Sequence, residues 1–262
     1  MTKISKSPKK GIYLLPNLFT TGALFAGYYS IIAGINGKYE IAAISIFIAA
    51  LLDGLDGRVA RLTNTESAFG EQYDSLSDLI SFGLAPSLLM YNWSLRSLVE
   101  IHPIMGKIGW LVAFIYAVSG ALRLARFNVQ IGSSDKAYFQ GLPSPAAAAL
   151  IGAFVWVAVD HSFTGESLRF IALAVTLISG LLMVSRIRYY SFKTLPFKET
   201  VPFMWILLLV MIFVLLALAP AKVLLIAFSL YAISGLVMTI VSIKQKRALK
   251  KSSNKSNNSE QE

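Results

Sequence analysis

Four aspartates in one short window are the residues of this 262-residue chain best suited to chemistry. Asp53 and Asp56 follow the apolar run ISIFIAALL, and Asp74 and Asp78 precede the apolar run LISFGLAPSLLMY. Because residues three or four positions apart share a helix face, each pair is expected to present two carboxylates on one side of its helix. A short turn between the two helices would make them antiparallel neighbours and bring all four carboxylates together.

Such a cluster of carboxylates would repel itself unless a cation were bound. Hard oxygen ligands favour Mg²⁺, Mn²⁺ or Ca²⁺, and four carboxylates suffice for two ions. An alternative is that the acids only neutralise Arg58 and Arg61 near the membrane boundary. An EF-hand loop fits less well, because its alternating ligand positions are missing.

Small residues next to the aspartates leave room for a ligand against the backbone. Gly57 and Ala60 lie one and two turns beyond Asp53 on nearly the same helix face, and Gly70 lies in or near the turn. Arg61 follows two turns after Asp53, and a guanidinium suits phosphate oxygens. Carboxylates, metal ions, an arginine and an open floor together predict a site for a diphosphate.

The composition places these residues in a membrane protein. The chain is 55% hydrophobic and 15% charged, whereas soluble domains have about a quarter of their residues charged. It contains no cysteine, which excludes disulfides and thiolate chemistry. We predict an all-α, polytopic integral membrane protein with about eight transmembrane helices, near 15–36, 39–61, 72–93, 105–128, 144–162, 167–187, 201–219 and 221–243.

The net charge of +10 is explained by topology rather than by nucleic acid binding. With eight spans and both termini in the cytoplasm, most of the 24 lysines and arginines lie on the cytoplasmic side, as the positive-inside rule requires. The acidic window then also faces the cytoplasm, and we expect the chain in the cell (inner) membrane. The predicted organisation is a basic cytoplasmic leader at 1–14, a transmembrane catalytic domain at 15–245 and a disordered cytoplasmic tail at 246–262.

The acidic window resembles the complete signature of the CDP-alcohol phosphatidyltransferase family. Its pattern is Asp53-x-x-Asp56-Gly57-x-x-Ala60-Arg61, eight residues, then Gly70-x-x-x-Asp74-x-x-x-Asp78. The segment LPNLFT at 15–20 is similar to the start of the family's first helix. The segments RLARFN at 123–128 and GLPSP at 141–145 resemble the phosphatidylserine synthase branch of that family.

The resemblance implies the family's fold and the transfer of a phosphatidyl group from CDP-diacylglycerol to the hydroxyl of L-serine, with release of CMP. By resemblance, Asp53, Asp56 and Asp74 are metal ligands, for Mg²⁺ or Mn²⁺ and for two ions. Asp78 corresponds to the general base, near or bound to the second ion. The nucleotide and diphosphate pocket would comprise Asn17, Gly57, Ala60, Arg61 and Gly70.

The acceptor pocket is predicted less directly. Serine carries a carboxylate and an ammonium, and four polar residues at cytoplasmic helix ends could contact them: Arg123, Arg126, Asn128 and Arg186. The positive-inside rule alone is the alternative explanation for these arginines. The predicted partners are CDP-diacylglycerol, L-serine and membrane lipid, and glycines within the spans allow a homodimer contact.

Three other functions compete with this interpretation. Sibling enzymes transfer to glycerol 3-phosphate, inositol phosphate or choline, but the RLARFN and GLPSP segments argue against them. A membrane prenyltransferase also holds diphosphate through metal and aspartate, but it uses two acidic motifs on well-separated helices. An ion transporter would need acids along a path through the bilayer, whereas these acids gather at one face.

Overall fold

The computed structural model of this chain describes residues 14–130, 138–190 and 203–259. These residues form helices and one pair of short strands, with a π-helical segment after α3 and a 3₁₀ segment after α4. In chain order the elements are α1 (Leu14–Ile35), α2 (Tyr39–Thr63), α3 (Ala68–Asp78), the π segment (Leu79–Leu84), α4 (Ala85–Trp93), the 3₁₀ segment (Leu95–Glu100), α5 (Pro103–Gln130), β1 (Tyr138–Gln140), α6 (Ser144–Asp160), α7 (Arg169–Val184), β2 (Arg188–Tyr190), α8 (Phe203–Leu218) and α9 (Pro220–Ser259).

The predicted helical fold class is confirmed, and the apolar helices are those of a membrane protein. Each predicted apolar segment coincides with a helix, the third with the continuous run of α3, the π segment and α4. Within the described residues, three helices are long and apolar enough to cross a bilayer, namely Leu15–Ile35, Pro103–Val129 and Pro220–Ile240. Three shorter apolar helices accompany them: Ser144–Asp160, Arg169–Val184 and Phe203–Leu218. Eight spans remain a prediction.

The core is formed by close packing of helices through small side chains. Helix α1 packs along α2, α2 packs on α6, and α6 packs on α9, while α5 packs on α7. The first turns of α6 contain four consecutive alanines, Ala146–Ala149, all of them buried, so neighbouring backbones can approach closely. In the α1–α2 contact the buried Ser30 hydroxyl donates to the Ala42 carbonyl at 2.7 Å. Interhelical contacts of this kind fix the relative positions of the helices that carry the acids.

A π-helical segment follows Asp78 directly. π-Helical turns occur mostly as short insertions in α-helices and often at functional sites. Here Ser81 donates to the Ala23 carbonyl at 3.1 Å, and a Cβ added at Gly27 would collide with Ser81. The hydroxyl of Tyr116 on α5 donates to the Phe82 carbonyl at 3.2 Å. The segment is therefore held between α1 and α5, which fixes the helix end that carries Asp78.

Two short strands pair beside the start of α6 and the end of α7. β1 and β2 pair antiparallel, with Phe139 opposite Tyr189. Gly141 follows β1 with φ +80° and donates its N–H to the Ile187 carbonyl at 2.8 Å. A Cβ at that position would collide with the Met183 carbonyl, so only glycine allows this close approach to the end of α7.

The predicted tail lies largely within the described residues, whereas the predicted leader does not. Nearly all of the predicted leader, 1–13, lies outside the described residues. At the other end α9 continues to Ser259, whereas the sequence predicts a disordered tail from 246. The run KQKRALKK at 244–251 consists mainly of strong helix formers, so propagating the preceding helix costs little free energy.

Candidate active site

The turn between α2 and α3 is shaped by local capping. Asn64 ends α2 in the left-handed conformation, with φ 51°, and its N–H points back to the carbonyls of Ala60 and Arg61. Ser67 begins α3 by accepting a hydrogen bond from the Gly70 N–H at 3.0 Å. Both are residue types that favour helix ends, so the sequence specifies the turn locally.

The two acid-bearing helices are neighbours through the later part of the predicted third helix, because α2 packs on the π segment and on α4, whereas α3 itself packs mainly on α1. A cavity of about 580 Å³ lies between α3 and the end of α2 and is lined by residues of α1, α2 and α3. Helix α1 packs against both and spans the gap, so three helices rather than two position the acids.

Three of the four predicted carboxylates converge. One oxygen from each of Asp53, Asp56 and Asp74 lies within 4.8 Å of the others. Asp56 is buried, and Asp53 and Asp74 are half-buried. Asp78 contacts Asp53 and lies near Asp74, so it borders the trio as the sequence predicts.

The site has the donor set that a divalent cation requires. The Oδ1 atoms of Asp74 and Asp78 are buried and accept no hydrogen bond in the described part of the chain. Buried polar atoms are normally satisfied, so these two unpartnered carboxylate oxygens, one within the trio and one beside it, are suited to a bound cation. This is a specific fit between the residues present and a metal ion.

The alternative that the acids only neutralise nearby arginines has no support in the contacts. In the part of the chain that the structure describes, the single ion pair joins Arg169 to Glu100, at 3.9 Å. Arg61 turns onto its own helix, where its Nε donates to the Gly57 carbonyl at 2.8 Å. Its side chain is exposed beside the cavity and makes no ion pair with the aspartates.

The cavity brings together most of the residues predicted for the nucleotide and diphosphate. Its lining includes Asn17, Gly57, Ala60 and Gly70, together with the ligand candidates Asp56 and Asp74. Arg61 does not line it but contacts Gly57 at its edge. The cavity therefore joins the acidic trio to a floor of small residues, as the diphosphate interpretation requires.

Several polar residues that line this cavity were not predicted from the sequence. Its lining also contains Thr20, Thr65, Glu66, Ser67 and Glu71. Thr20 is buried, and its hydroxyl donates to Asp56 Oδ2 at 2.7 Å. The LPNLFT segment was the available signal, since it ends at Thr20, but nothing in the sequence indicated which of its residues faces the acids.

None of the residues predicted for the acceptor lines this cavity, and one of them, Arg123, lies near Asp78. Arg123 is buried, lies near Asp78 and donates from Nη1 to the Ser144 hydroxyl at 3.0 Å. Its Nε is buried and without a hydrogen-bond partner. Arg123 thus supplies a buried positive charge next to the predicted base.

The other three predicted acceptor residues have different surroundings. Arg126 donates to the carbonyls of Val184 and Ser185 at the end of α7, at 2.9 and 3.4 Å. Asn128 donates from Nδ2 to the Ser75 hydroxyl at 3.0 Å and so connects α5 to α3. Arg186 is exposed just before β2.

Comparison with known proteins identifies the family of this chain. Residues 13–182, well over half of the chain, match the sequence profile of CDP-alcohol phosphatidyltransferases. The chain belongs to the CDP-alcohol phosphatidyltransferase family. The match contains the acidic window and the cavity, and it confirms the family that the signature at residues 53–78 resembles.

Relatives within the CDP-alcohol phosphatidyltransferase family share much of the chain. It is 38% identical over 230 residues to a protein of Helicobacter pylori named CDP-diacylglycerol--serine O-phosphatidyltransferase, covering 88% of this chain and 92% of that one. A protein of Mycobacterium leprae with the same name is 32% identical over 215 residues, or 80% of this chain and 69% of the relative. The archaetidylserine synthase of Methanothermobacter thermautotrophicus is 38% identical over 177 residues, or 67% and 69%. These names agree with the branch motifs at 123–128 and 141–145.

Proposed function

We propose that this chain transfers the phosphatidyl group of CDP-diacylglycerol to the hydroxyl of L-serine, giving phosphatidylserine and CMP. The observation that carries the proposal is the meeting of three aspartate carboxylates at a cavity floored by small residues. The relatives named as serine O-phosphatidyltransferases support serine as the acceptor over glycerol 3-phosphate, inositol phosphate or choline.

In the proposed reaction the serine hydroxyl oxygen forms a bond to the phosphorus of the phosphatidyl group. The bond from that phosphorus to the bridging oxygen breaks, and CMP leaves with the bonding electron pair. Asp78 takes the hydroxyl proton, because its Oδ1 is buried and accepts no hydrogen bond within the described chain. A general base within hydrogen-bond reach of the reacting hydroxyl contributes about 10²–10⁴-fold to such reactions.

The aspartate trio together with Asp78 would hold the divalent cations, which we propose to be two Mg²⁺ or Mn²⁺ ions. Bound divalent ions would neutralise the diphosphate charge and align it for attack. Asn17, Gly57, Ala60 and Gly70 would accommodate the nucleotide and the diphosphate. Arg61 stands at the edge of the cavity, and turning its exposed guanidinium inward would bring it to the phosphates.

Arg123 is our leading candidate for contacting the serine carboxylate. It is buried, its Nε has no hydrogen-bond partner in the described chain, and it lies near the proposed base. Arg126, Asn128 and Arg186 complete the proposed acceptor pocket. Of these, Arg126 and Asn128 would have to exchange intramolecular hydrogen bonds for contacts with serine.

We further propose eight transmembrane spans, with the active site and both termini facing the cytoplasm of the inner membrane, and a homodimer. Serine is soluble in water and the diacylglycerol tails are not, so a site at the cytoplasmic boundary gives both substrates access. The distribution of lysines and arginines supports this orientation.

The test gives the purified chain CDP-diacylglycerol, Mn²⁺ or Mg²⁺, and one alcohol at a time, and follows CMP release. We expect CMP with L-serine and none with glycerol 3-phosphate, inositol phosphate or choline. Chelation with EDTA should abolish turnover, and added Mn²⁺ or Mg²⁺ should restore it. CMP release with another alcohol but not with serine would overturn the proposed acceptor.

A further inference from the structure

Thr20 on α1 connects the three helices that form the site. Its hydroxyl donates to Asp56 Oδ2 on α2 at 2.7 Å, and its carbonyl accepts from the Ser77 hydroxyl on α3 at 3.2 Å. The side chain is 3% exposed and borders the cavity between those helices. Within the described chain, no other residue of α1 donates a side-chain hydrogen bond to a member of the aspartate trio.

The hydrogen bond to Asp56 is the dominant interaction of the Thr20 hydroxyl. That hydroxyl has one proton and two acceptors within reach, the Pro16 carbonyl at 3.1 Å and the Asp56 carboxylate at 2.7 Å. Hydrogen bonds from a hydroxyl to a carboxylate are short, about 2.5–2.7 Å, and are stronger than bonds to neutral acceptors. The shorter contact to the charged acceptor therefore takes the proton.

We infer that Thr20 is a positioning residue that orients Asp56 for metal binding. Holding Oδ2 fixes the plane of the Asp56 carboxylate, because the two oxygens and their carbon are rigid. The carboxylate then keeps one orientation toward Asp53 and Asp74 before a cation arrives. Groups that hydrogen-bond a metal ligand commonly change metal affinity by about 10–100-fold when they are removed.

This inference rests on the proposed metal site, and its test measures metal binding without turnover. The full-length chain and its Thr20→Val variant are placed in lipid nanodiscs without CDP-diacylglycerol. Mn²⁺ binding is followed by loss of the free Mn²⁺ signal in electron paramagnetic resonance. We expect Thr20→Val to weaken Mn²⁺ binding about 10–100-fold and Thr20→Ser to restore it, since serine keeps the hydroxyl.

Two control variants separate orientation of Asp56 from loss of packing. Thr176 on α7 is also fully buried and donates to the carbonyl four residues earlier, at 2.7 Å, so Thr176→Val removes a comparable hydroxyl away from the acids. Ser77→Ala removes the hydrogen bond between α3 and Thr20 but leaves the bond to Asp56. Both variants should bind Mn²⁺ like the unsubstituted chain.

The outcomes distinguish the two proposals. If the unsubstituted chain binds no Mn²⁺, the proposed metal site fails, and the role of Thr20 fails with it. If it binds Mn²⁺ and Thr20→Val does so equally well, only the role of Thr20 is overturned. Equal losses in Thr20→Val and Thr20→Ser, or in Ser77→Ala, would also overturn it. Thr20→Ala, which likewise lacks the hydroxyl, replaces Thr20→Val if the latter does not fold.

Discussion

Arg123 donates a 3.0 Å hydrogen bond from Nη1 to the hydroxyl of Ser144, the first residue of α6. Both residues are buried, and Asp78 lies near the same guanidinium. The sequence suggested only that Ser144, between two prolines, starts the fifth predicted helix. In the fold its hydroxyl fixes how Arg123 faces the proposed base.

Ser144→Ala should raise the KM for serine about tenfold, because a hydrogen bond to a charged group contributes about 1.5 kcal/mol or more. The KM for CDP-diacylglycerol should change little. Ser87→Ala is the matched control, since Ser87 is a buried serine whose hydroxyl donates to the Ala113 carbonyl at 2.7 Å. Steady-state kinetics with each substrate varied in turn give both KM values for the two variants. Equal rises in the KM for serine and the KM for CDP-diacylglycerol in Ser144→Ala would contradict the prediction.

Asp78→Asn should lower the rate of CMP release by orders of magnitude while binding of CDP-diacylglycerol survives. The amide keeps the shape of the carboxyl but cannot accept the serine proton, so kcat should fall by about 10²–10⁴. Asp160→Asn, at the exposed end of α6, serves as the control for the loss of one acidic group. Normal turnover by Asp78→Asn would exclude Asp78 as the base.

Gly57→Ala should stabilise the fold and yet impair use of CDP-diacylglycerol. A Cβ at Gly57 meets only the Arg61 guanidinium, at 4.0 Å, and alanine favours a helix over glycine by about 0.8–1.0 kcal/mol. The methyl group would, however, enter the cavity that we propose for the nucleotide.

Gly54→Ala provides a close control for that variant. Gly54 lies on the same helix, is exposed, does not line the cavity, and has no neighbour within 4 Å of an added Cβ. Both variants should unfold at the same or a higher temperature than the unsubstituted chain. Only Gly57→Ala should raise the KM for CDP-diacylglycerol, and a similar effect of Gly54→Ala would argue against a ligand over Gly57.

Arg126→Ala should raise the KM for serine more than the KM for the lipid, and it should also lower the melting temperature. The second effect follows because Arg126 donates to two carbonyls at the end of α7, and hydrogen bonds to charged groups contribute about 1.5–3 kcal/mol. Thermal unfolding and kinetics of the same preparation separate the effects. An unchanged KM for serine would remove Arg126 from the acceptor pocket and leave it a purely structural role.

Much of the site is determined by the sequence alone, because helix periodicity is a local property. Spacings of three and four residues place Asp53 with Asp56 and Asp74 with Asp78, and apolar lengths define the helices around them. The caps at Asn64 and Ser67 are also local, so the turn between the acid pairs follows from residue type. The convergence of the acids could therefore be predicted from residues 53–78, and the family from the resemblance of this window to a known signature.

Contacts between distant parts of the chain were decided only by the tertiary structure. Thr20 and Asp56 are 36 residues apart, and no periodicity indicates which threonine of α1 faces which acid. The π-helical segment after Asp78 depends on how α1 and α5 hold it. Arg126 was assigned to the acceptor by its charge, whereas packing of α5 against α7 directs its guanidinium to backbone carbonyls. Residue type and spacing specify which groups a helix presents, but only interhelical packing decides what those groups meet.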